Sequence, residues 1–425
     1  MATPNPIRAF LILSSFSALY VLSLFYRVSN AVIAPNLCSD LGLNAETLGI
    51  LGGSYFYSFA LFQIPLGPML DRISPRVIVA CFSLIGATGA FLFGSGQSFT
   101  AALFGKALNG AGMACVLMGA LKVFTLEFPA RKFTTLMGIM VSIGMLGTVL
   151  AASPLAYLTF LMGWRMIFLM AGVITILLAF LLFWILRENK PKGASHAFPG
   201  PAELKVGVLP SVRLVLGSLL FWQGATITFF RYGTFVSLQG LWLGPYLMEA
   251  KGYSPVQTGH VLILLAIGMI IGASIAGKLS DRTFPRPKRV ILGGLSLYCL
   301  SLFPLVGTWE IQGSLLYGLI FFFIGFFNSF GIGVFSHVKE TFPKSISGTV
   351  LTLLNFFTVA GAAVFMQSLG TIIEFFPKIN GVYPARAYHL CFLVCFVAMA
   401  ASLFVFTLSK KGEGREKYDE KEEIS

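Results

Sequence analysis

Charged side chains are scarce in this chain. Asp, Glu, Lys and Arg make up only 11% of its 425 residues, whereas 56% of the residues are hydrophobic and the mean hydropathy is +0.83. A soluble globular domain needs a more polar surface, so this composition excludes that class. Apolar runs of about 20 residues, long enough to cross a bilayer, recur from end to end. They are too long and too continuous for barrel strands, which predicts transmembrane helices.

Twelve runs are predicted to cross the membrane, which makes the expected fold class an all-α membrane protein. The first run lacks a small-residue cleavage site and is longer than a signal-peptide core, so we expect it to be retained. The predicted spans are approximately 8–36, 46–68, 76–95, 101–124, 133–157, 163–186, 211–247, 256–279, 289–308, 313–337, 346–375 and 386–409.

Common enzyme signatures are missing as well. The sequence has no GxxxxGK(S/T), HExxH or GxSxG, so nothing in it indicates direct use of ATP, zinc hydrolysis or a serine nucleophile. The six cysteines lie mostly in or beside predicted helices. Cys391 and Cys395, four positions apart, are better explained as small buried side chains than as a metal or redox pair. We therefore predict no enzymatic activity and no cofactor.

Acidic residues are outnumbered by basic ones, 17 to 30, and the formal net charge is +13. If the amino terminus is cytoplasmic, most of the basic residues fall in cytoplasmic connections and in the tail. This positive-inside bias predicts that both termini are cytoplasmic. No basic stripe lies on a soluble face, so the charge reflects membrane topology and argues against nucleic-acid binding.

One long non-apolar stretch inside the chain runs from Arg187 to Arg213 and is rich in proline and glycine. Its composition predicts a cytoplasmic linker, with a short surface helix as an option. The tail after Ser409 is charged and has few apolar side chains, so we expect it to be disordered. The predicted organisation is a six-helix bundle at 1–188, the linker at 189–210, a second six-helix bundle at 211–409 and the tail at 410–425.

A repeat at an offset of 210 positions relates the two halves of the chain. Parallel repeats in a membrane protein indicate a transporter whose halves rock about a central site. The glycine of the repeated segment can let a helix end approach a neighbour, and its charges can pair or meet a helix terminus. An ordinary charged turn is the alternative. The matching residues are Gly67, Asp71 and Arg72 in GPMLDR, and Gly277, Asp281 and Arg282 in GKLSDR.

These segments resemble signatures of the major facilitator superfamily. GPMLDRISPR, residues 67–76, resembles the loop signature GxLaDrxGrr, with Ser74-Pro75 replacing the usual glycine, and GKLSDR resembles its second-half counterpart. Lys106-x-Leu-x-Gly-x-Gly is similar to the fourth-helix motif RxLxGxG, and GWRMIFLMAG to the segment that opens the sixth helix. The fifth helix lacks the GPxxGG associated with proton-driven drug exporters.

The resemblance implies two six-helix bundles that rock around a site near the midplane. It also implies that the loop charges form a relay holding the cytoplasmic side closed, a role that falls on Asp71, Arg72 and Arg76 and more weakly on Asp281 and Arg282. Gly67 and Gly277 complete this expected gate.

None of the seventeen carboxylates falls near the middle of a predicted span, so the intramembrane charges are basic: Arg27, Arg231 and Lys106. An Arg near the middle of a span costs roughly 2.5–3.5 kcal/mol on insertion scales. A guanidinium forks onto carboxylate or phosphate, so we hypothesise that the substrate is the missing partner. The alternatives are pairing with backbone carbonyls at a broken helix, or snorkelling outward.

In the repeat register, Arg231 lies about six residues, or roughly 9 Å, deeper than Arg27, so the two could clasp one anion from two levels. Lys106 is more simply a structural or gate-closing charge. Four further polar residues in the predicted spans are candidates for substrate contact, although a single buried Asn more often joins two helices. They are Tyr20 on the first span, Asn109 on the fourth, Asn328 on the tenth and Asn355 on the eleventh.

The predicted function is secondary transport of a small organic anion, a carboxylate or phosphate ester, by alternating access in a plasma membrane such as the bacterial inner membrane. The chain resembles the anion:cation symporter and organophosphate exchanger branches, and we expect a monomer. A coupling proton or sodium ion remains open. With no acid in the cavity, exchange, uniport or a proton carried by the substrate or by Glu374 is favoured. The alternatives are export of drug-like or amphipathic solutes, and a transporter-like sensor without net flux.

Overall fold

The computed structural model of the chain describes residues 5–186, 208–279, 287–308, 313–343 and 346–408. Within these ranges the regular backbone is helical, apart from one isolated antiparallel bridge between Ile379 and Val382. The expected all-α fold class is confirmed. Most of the predicted linker and all of the predicted tail lie outside the described residues.

The helices are numbered in chain order. Before the predicted linker they are α1 Pro6–Val28, α2 Asn30–Leu41, α3 Ala45–Arg72, α4 Pro75–Ser95, α5 Phe99–Met113, α6 Cys115–Glu127, α7 Ala130–Gly144, α8 Leu146–Leu150 and α9 Ser153–Ile185. After it they are α10 Val208–Leu216, α11 Leu219–Ser237, α12 Leu243–Pro245, α13 Pro255–Lys278, α14 Pro287–Leu302, α15 Ser314–Asn328, α16 Gly333–Lys339, α17 Ser347–Glu374 and α18 Ala385–Thr407. Two π-helical turns, Leu238–Trp242 and Tyr246–Ala250, flank α12, and 3-10 turns, Phe303–Val306 and Ser329–Ile332, follow α14 and α15.

The predicted spans are recovered as helices. In the described part of the chain nine helical segments are long and apolar enough to cross a membrane, and a bent pair supplies a tenth. The two remaining predicted spans correspond to α3, which is 28 residues long, and to the shorter apolar stretch Thr135–Leu150. Several spans contain a break, such as the one at Ser29 between α1 and α2.

The seventh span begins later than predicted. Pro210–Leu216 and Leu219–Ala250 meet at an angle of 74°. The apolar run that starts at residue 211 therefore combines a short separate helix, α10, with the span proper. Hydropathy alone could not separate them, because both parts are apolar. The short helix that the composition of the linker allowed is present.

The fifth and sixth spans are separated at Gly163, where the sequence places the start of the sixth. Residues 153–185 form one helical run of 33 residues, interrupted at Gly163, where φ is 76° and ψ is 150°. A straight helix of that length would measure about 50 Å, well beyond the roughly 30 Å of a bilayer core. Glycine adopts this backbone conformation readily, and other residues rarely do.

The two helices that flank the first predicted cytoplasmic loop, α3 and α4, begin at residues that favour a helix start, and only two residues separate them. At the opposite end of α3, Asn44 and Thr47 form a capping box, with Asn44 Oδ1 2.9 Å from the Thr47 nitrogen. The helix then runs to Arg72, and α4 begins at Pro75. Proline fits the first helical position, where no hydrogen-bond donor is needed. This explains how Ser74-Pro75 can stand in place of the usual glycine.

Packing groups the chain into two compact units. Unit one comprises Met1–Ala197, Leu238–Ile263 and Met366–Ala385; unit two comprises Phe198–Ser237, Leu264–Phe365 and Arg386–Ser425. Unit one thus collects the first six spans together with the last part of span seven, the start of span eight and the last part of span eleven. The sequence-based bundle boundaries, 1–188 and 211–409, stay a prediction, because packing groups residues by proximity rather than by repeat.

Within unit one, the glycines of the fourth-span motif let α5 lie directly against two neighbours. A Cβ on Gly110 would collide with the backbone oxygen of Tyr55 in α3. A Cβ on Gly112 would collide with the backbone of Gly86 in α4. Small residues permit such close backbone approach between membrane helices. The motif is thus explained by packing on two sides of one helix.

A wholly apolar strip of α9 is exposed. Leu177, Phe180 and Trp184 have 62%, 59% and 68% of their surface accessible, and their spacing of three and four puts them on one helix face. An exposed apolar face of this kind is expected where a helix meets lipid, and it supports the membrane assignment.

Candidate functional site

Arg231 is buried in unit two and is held by a single residue of the tenth span. Only 5% of Arg231 is exposed. Its Nη1 donates to both the backbone oxygen and the Oδ1 of Asn328, each at 3.2 Å. Asn328 is the last residue of α15, where carbonyl groups lack their regular intrahelical donors. Pairing with a carbonyl at a broken helix, one of the alternatives considered, is therefore realised for this nitrogen.

The stem of the Arg231 side chain lies against the backbone at Gly331, which has no side chain. A Cβ on Gly331 would collide with Cδ and Nε of Arg231. The Nε atom is itself buried, and it donates no hydrogen bond among the described residues. A buried donor without a partner is uncommon and needs an explanation.

A second polar contact ties α11 to α14 next to this arginine. The Thr234 hydroxyl lies 3.2 Å from the Arg231 backbone oxygen and 2.9 Å from the Tyr298 hydroxyl. Thr234 and Tyr298 are both fully buried. Buried hydroxyls that satisfy one another in this way hold the helix at a fixed rotation.

The charge of Arg231 is compensated by neutral groups. Two ion pairs among the described residues join Arg8 to Glu127 at 2.9 Å and Arg165 to Asp40 at 3.7 Å, both in unit one. No described carboxylate makes an ion pair with Arg231. The guanidinium is therefore a buried cation whose described hydrogen-bond acceptors are an amide oxygen and a backbone carbonyl oxygen.

Arg27 is half-buried in unit one and meets aromatic rings. Its guanidinium carbon lies 4.9 Å from the ring centre of Phe59 and 5.9 Å from that of Phe56, both on α3. Cation–π contacts of this length attract the guanidinium to the rings. Tyr20, on the same span, packs its ring against Gly144 of α7, where a Cβ would collide with it.

Lys106 lies in an aromatic enclosure of unit one. It is 1% exposed, and its Nζ donates to the Tyr26 backbone oxygen at 3.2 Å. The same nitrogen lies 4.6 Å and 5.0 Å from the ring centres of Phe93 and Phe168. This placement favours the structural interpretation of Lys106, because its donor and its charge both serve contacts between helices.

The further candidates for substrate contact fall into three situations. Asn109 donates from Nδ2 to the Gly86 oxygen at 3.0 Å, and so joins α5 to α4. Asn328 contacts Arg231, as described above, and Asn355 is half-buried on α17. The structure therefore brings one pair of the predicted residues together, Arg231 and Asn328. Arg27 and Arg231 belong to different units, and the hypothesis that they clasp one anion stays a prediction.

The predicted gate residues are only partly described. Gly67, Asp71 and Arg72 lie in the last turns of α3, and Gly277 lies near the end of α13. The side chain of Asp71 and the surroundings of Gly277 are not among the described features, and Asp281 and Arg282 lie outside the described residues.

Two gate positions can be described in more detail. A Cβ on Gly67 would meet no described atom within 4 Å, so none of the described residues lies close against this glycine, and the close helix approach expected there stays a prediction. Arg76 stacks on Phe183 of α9, with 3.9 Å between its guanidinium carbon and the ring centre. That ring anchors one of the expected relay charges within unit one.

Unit one also contains a contact that the sequence did not indicate, at the end predicted to face outward. Gly244 lies so close to α2 that a Cβ would collide with the Ala31 backbone oxygen. Pro35, inside α2, has no N–H for the carbonyl four residues before it, which is that of Ala31. The Ala31 carbonyl, which lacks its helical donor, thus lies directly against Gly244, which has no side chain.

A loop between α17 and α18 reinforces this contact. Asn380 and Gly381 have φ of 52° and 84°, as a tight hairpin turn requires, and Ile379 and Val382 exchange backbone hydrogen bonds of 2.9 and 3.2 Å. The turn positions Tyr383, whose N–H donates to Glu249 at 3.1 Å.

Glu374 receives two donors beside this turn. The Tyr383 hydroxyl donates to Glu374 Oε2 at 2.5 Å, and the Ala45 N–H, at the start of α3, donates to the same oxygen at 2.9 Å. Burial, and then the hydrogen bond to Glu374, raise the pKa of Tyr383 above its ordinary value, so the phenol remains a donor. We call Ala45, Glu249, Glu374 and Tyr383 the outer latch.

The sequence indicated the buried basic residues but not most of the side chains that surround them. The rings of Phe59, Phe93 and Phe168 carry no signal that separates them from the other aromatic residues of the spans. Tyr298 likewise looks like any residue of an apolar run. The Asn-Gly turn was a readable signal, since that dipeptide favours a tight hairpin.

Comparison with known protein families gives a long match. The family model described as Major Facilitator Superfamily matches residues 14–366. The chain is similar to a probable sulfoacetate transporter of Cupriavidus necator, with 24% identity over 333 residues, 75% of this chain and 77% of that protein. It is similar to a probable hexose phosphate transport protein of Chlamydia pneumoniae, with 24% identity over 419 residues, 91% and 88% of the two chains. A probable galactarate/D-glucarate transporter of Escherichia coli is 25% identical over 393 residues, 84% and 85% of the two chains.

Solved structures show the same fold. A bacterial homolog of the human lysosomal transporter Spinster, in an inward-facing and occupied conformation, matches with a TM-score of 0.73 and 18% identity over 95% of this chain and 97% of that chain. A D-xylose-proton symporter matches with a TM-score of 0.73 and 14% identity over 96% and 99% of the two chains. The architecture expected of two pseudo-symmetric six-helix bundles is the one these structures share.

Proposed function

Because the chain belongs to the major facilitator superfamily, we propose that it is a secondary active transporter that moves a small organic anion by alternating access. The proposed cargo is a carboxylate or a phosphate ester. Relatives named for sulfoacetate, hexose phosphate and galactarate/D-glucarate transport support this class, since all of these solutes are anions. No enzymatic activity and no cofactor are proposed.

The observation that carries the proposal is the environment of Arg231. This arginine is buried, hydrogen-bonded to neutral Asn328 and unpaired with any described carboxylate. A cation kept in that state is costly unless an anion completes it. We propose Arg231 as the principal contact for the anionic group of the cargo.

Other residues are proposed as supporting contacts. Arg27 would provide a second positive charge, and Tyr20 and Asn355 would meet polar groups of the cargo. Asn109, which already joins α4 to α5, is proposed as a contact between helices. The coupling ion stays a prediction: exchange, uniport, and symport with a proton or sodium ion are all compatible with these assignments.

The protein is an integral membrane protein, and its orientation is a proposal. The distribution of Lys and Arg supports cytoplasmic termini, as in a bacterial inner membrane protein. The carboxyl end of α2, which carries Cys38, would then face outward. Labelling of Cys38 from outside intact cells by an impermeant reagent tests this orientation.

The cargo class is tested by thermal unfolding of the purified protein with glucose 6-phosphate, galactarate and sulfoacetate, and with glucose and galactitol as uncharged controls. A ligand at about 100 times its Kd stabilises the folded state by about 2.7 kcal/mol, so the melting temperature should rise by several degrees with an anion. Arg231→Ala should abolish the rise.

Other outcomes of the thermal-unfolding experiment would contradict the assignment of Arg231 or the proposed cargo class. An anion-induced rise that survives in Arg231→Ala would remove Arg231 from the site. If glucose and galactitol raise the melting temperature as much as the anions do, the anion proposal is contradicted and the alternative of exporting drug-like or amphipathic solutes is favoured. Binding without counterflow in proteoliposomes would favour a sensor. A lack of response to every anion would contradict the proposed cargo class.

We also propose that the loop charges Asp71, Arg72 and Arg76, with their counterparts Asp281 and Arg282, close the cytoplasmic side. Asp71→Asn removes one charge at nearly constant volume. We expect transport to fall about tenfold or more, in line with the loss of a charge-assisted hydrogen bond, while the amount of protein in the membrane stays similar. Uptake per molecule in proteoliposomes measures this, and wild-type flux would contradict the gate assignment.

A further inference from the structure

We propose that Asn328 is a positioning residue, which holds Nη1 of Arg231 so that the opposite edge of the guanidinium, Nε and Nη2, is presented to the anionic group of the cargo. This inference rests on the proposed function. It adds which edge of the arginine receives the ligand and which residue sets that edge.

One nitrogen of the guanidinium, Nη1, is already engaged in hydrogen bonds to Asn328. A guanidinium can bind an oxyanion in a forked manner through its two terminal nitrogens or through Nε and one terminal nitrogen. Both acceptors of Asn328 lie 3.2 Å from Nη1. The terminal edge, which needs Nη1, is therefore occupied, and the edge containing Nε is the one left for a forked contact.

Arg231 is more than nine-tenths buried, and its Nε donates no hydrogen bond among the described residues. Buried donors are nearly always paired in native proteins, and an exception needs an explanation, such as strain, a functional role, a water or a bound ion. The two oxygens of a carboxylate or phosphate would satisfy Nε and Nη2 together.

The backbone also supports this placement. Gly331 follows Asn328 in the same turn region, and its bare Cα leaves room for Cδ and Nε of Arg231. Asn328 accepts hydrogen bonds from Nη1 of Arg231, and Gly331 lies beside Cδ and Nε of the same side chain. The break between α15 and α16 thus provides both the carbonyl that holds the arginine and the space in which it lies.

The choice of an amide at position 328 has an electrostatic consequence. Asn accepts a hydrogen bond without bringing a negative charge, so the cation keeps its attraction for an anion. Asp has the same shape and accepts the same bond more strongly, but it would neutralise Arg231 and repel the cargo. The substitution Asn328→Asp therefore separates a structural role from a positioning role.

The test compares purified wild type with Asn328→Asp, Asn328→Ala and Gly331→Ala, using glucose 6-phosphate and galactarate as probes. For Asn328→Asp we expect an unchanged or higher melting temperature without ligand, and an affinity for both probes lowered at least about tenfold, because a hydrogen-bonded carboxylate competes for the cation. For Asn328→Ala and Gly331→Ala we expect KM to rise about tenfold, with maximal flux in proteoliposomes kept within about twofold.

Arg231→Lys completes the series, because it keeps the charge but cannot offer a fork. We expect it to lose at least about tenfold in affinity for the same probes. Asn328→Asp with wild-type affinity would overturn the inference, as would an Asn328→Ala protein that loses ligand-free stability but binds normally. If Arg231→Ala abolishes binding in that case, the proposed function stands. If neither probe binds the wild type, the anion proposal and this inference both fail.

Discussion

Gly244→Ala should shift the transporter away from the state in which spans one and seven touch at the ends that are predicted to face outward, and transport should fall accordingly. The added Cβ would collide with the Ala31 backbone oxygen, which cannot rotate away as a side chain could. Forcing an extra methyl group into a packed contact costs about 1–3 kcal/mol, which corresponds to a change of about 5- to 150-fold in the population of the closed arrangement.

The native Cys38 offers a readout that does not depend on knowing the cargo. It lies in α2, is only partly exposed and is not in a disulfide. Burial chiefly, and then the charge of Glu249, raises the pKa of Cys38 to about 11. Because the thiolate is the reactive form, an impermeant maleimide at pH 7.5 should label Cys38 slowly in the wild type.

Opening should accelerate that labelling, since exposure to water returns the thiol pKa towards its ordinary value near 8.5. We therefore expect faster labelling of Cys38 in Gly244→Ala, in cells and in detergent. Gly138→Ala is the matched control, because a Cβ on Gly138 of α7 meets no described atom within 4 Å. The same labelling rate in both variants would show that the Gly244 contact does not control opening, and Cys38→Ser gives the background.

The limits of sequence reasoning are visible in the outer contact. The glycine at position 244, the proline at position 35 and the Asn-Gly turn are all present in the sequence. What could not be deduced is that these segments meet, since Ala31 and Gly244 belong to different halves of the repeat. Local signals predict helices and turns, whereas contacts between distant segments depend on packing.

The twelve spans could be predicted because a membrane imposes length and hydropathy on every crossing. Breaks inside spans could not, because both sides of a break are equally apolar, as α10 and α11 illustrate. The buried arginine was also predictable, since a charge within an apolar run is conspicuous. Its partner Asn328, 97 positions away, was recognisable only as one of several polar residues.

Lys106 illustrates the opposite case. As a lone charge in an apolar helix, it carries the same signal as Arg231. In the structure its Nζ reaches the Tyr26 carbonyl and two aromatic rings, whereas Arg231 retains a buried donor without a partner among the described residues. Two equal signals in the sequence thus correspond to different surroundings in the structure, and only those surrounding atoms distinguish the two residues.

Glu374→Ala should weaken the same closure through the outer latch. The substitution leaves the Ala45 N–H and the Tyr383 hydroxyl without the carboxylate oxygen that both now contact. Hydrogen bonds to a charged group contribute about 1.5–3 kcal/mol, and the negative charge also stabilises the start of α3. We expect labelling of Cys38 to be about tenfold or more faster than in the wild type.

A double-mutant cycle decides whether Tyr383 and Glu374 act as one unit. Tyr383→Phe removes only the hydroxyl, and the Tyr383 backbone contact with Glu249 should persist. If the two side chains stabilise closure together, the double variant should label little faster than Glu374→Ala alone. Glu46→Ala is the matched control, because Glu46 is the exposed acid next to Ala45 in the first turn of α3. Fully additive effects would mean that each side chain holds the closed end independently, and equal acceleration in Glu46→Ala would reduce the latch to a general effect of negative charge.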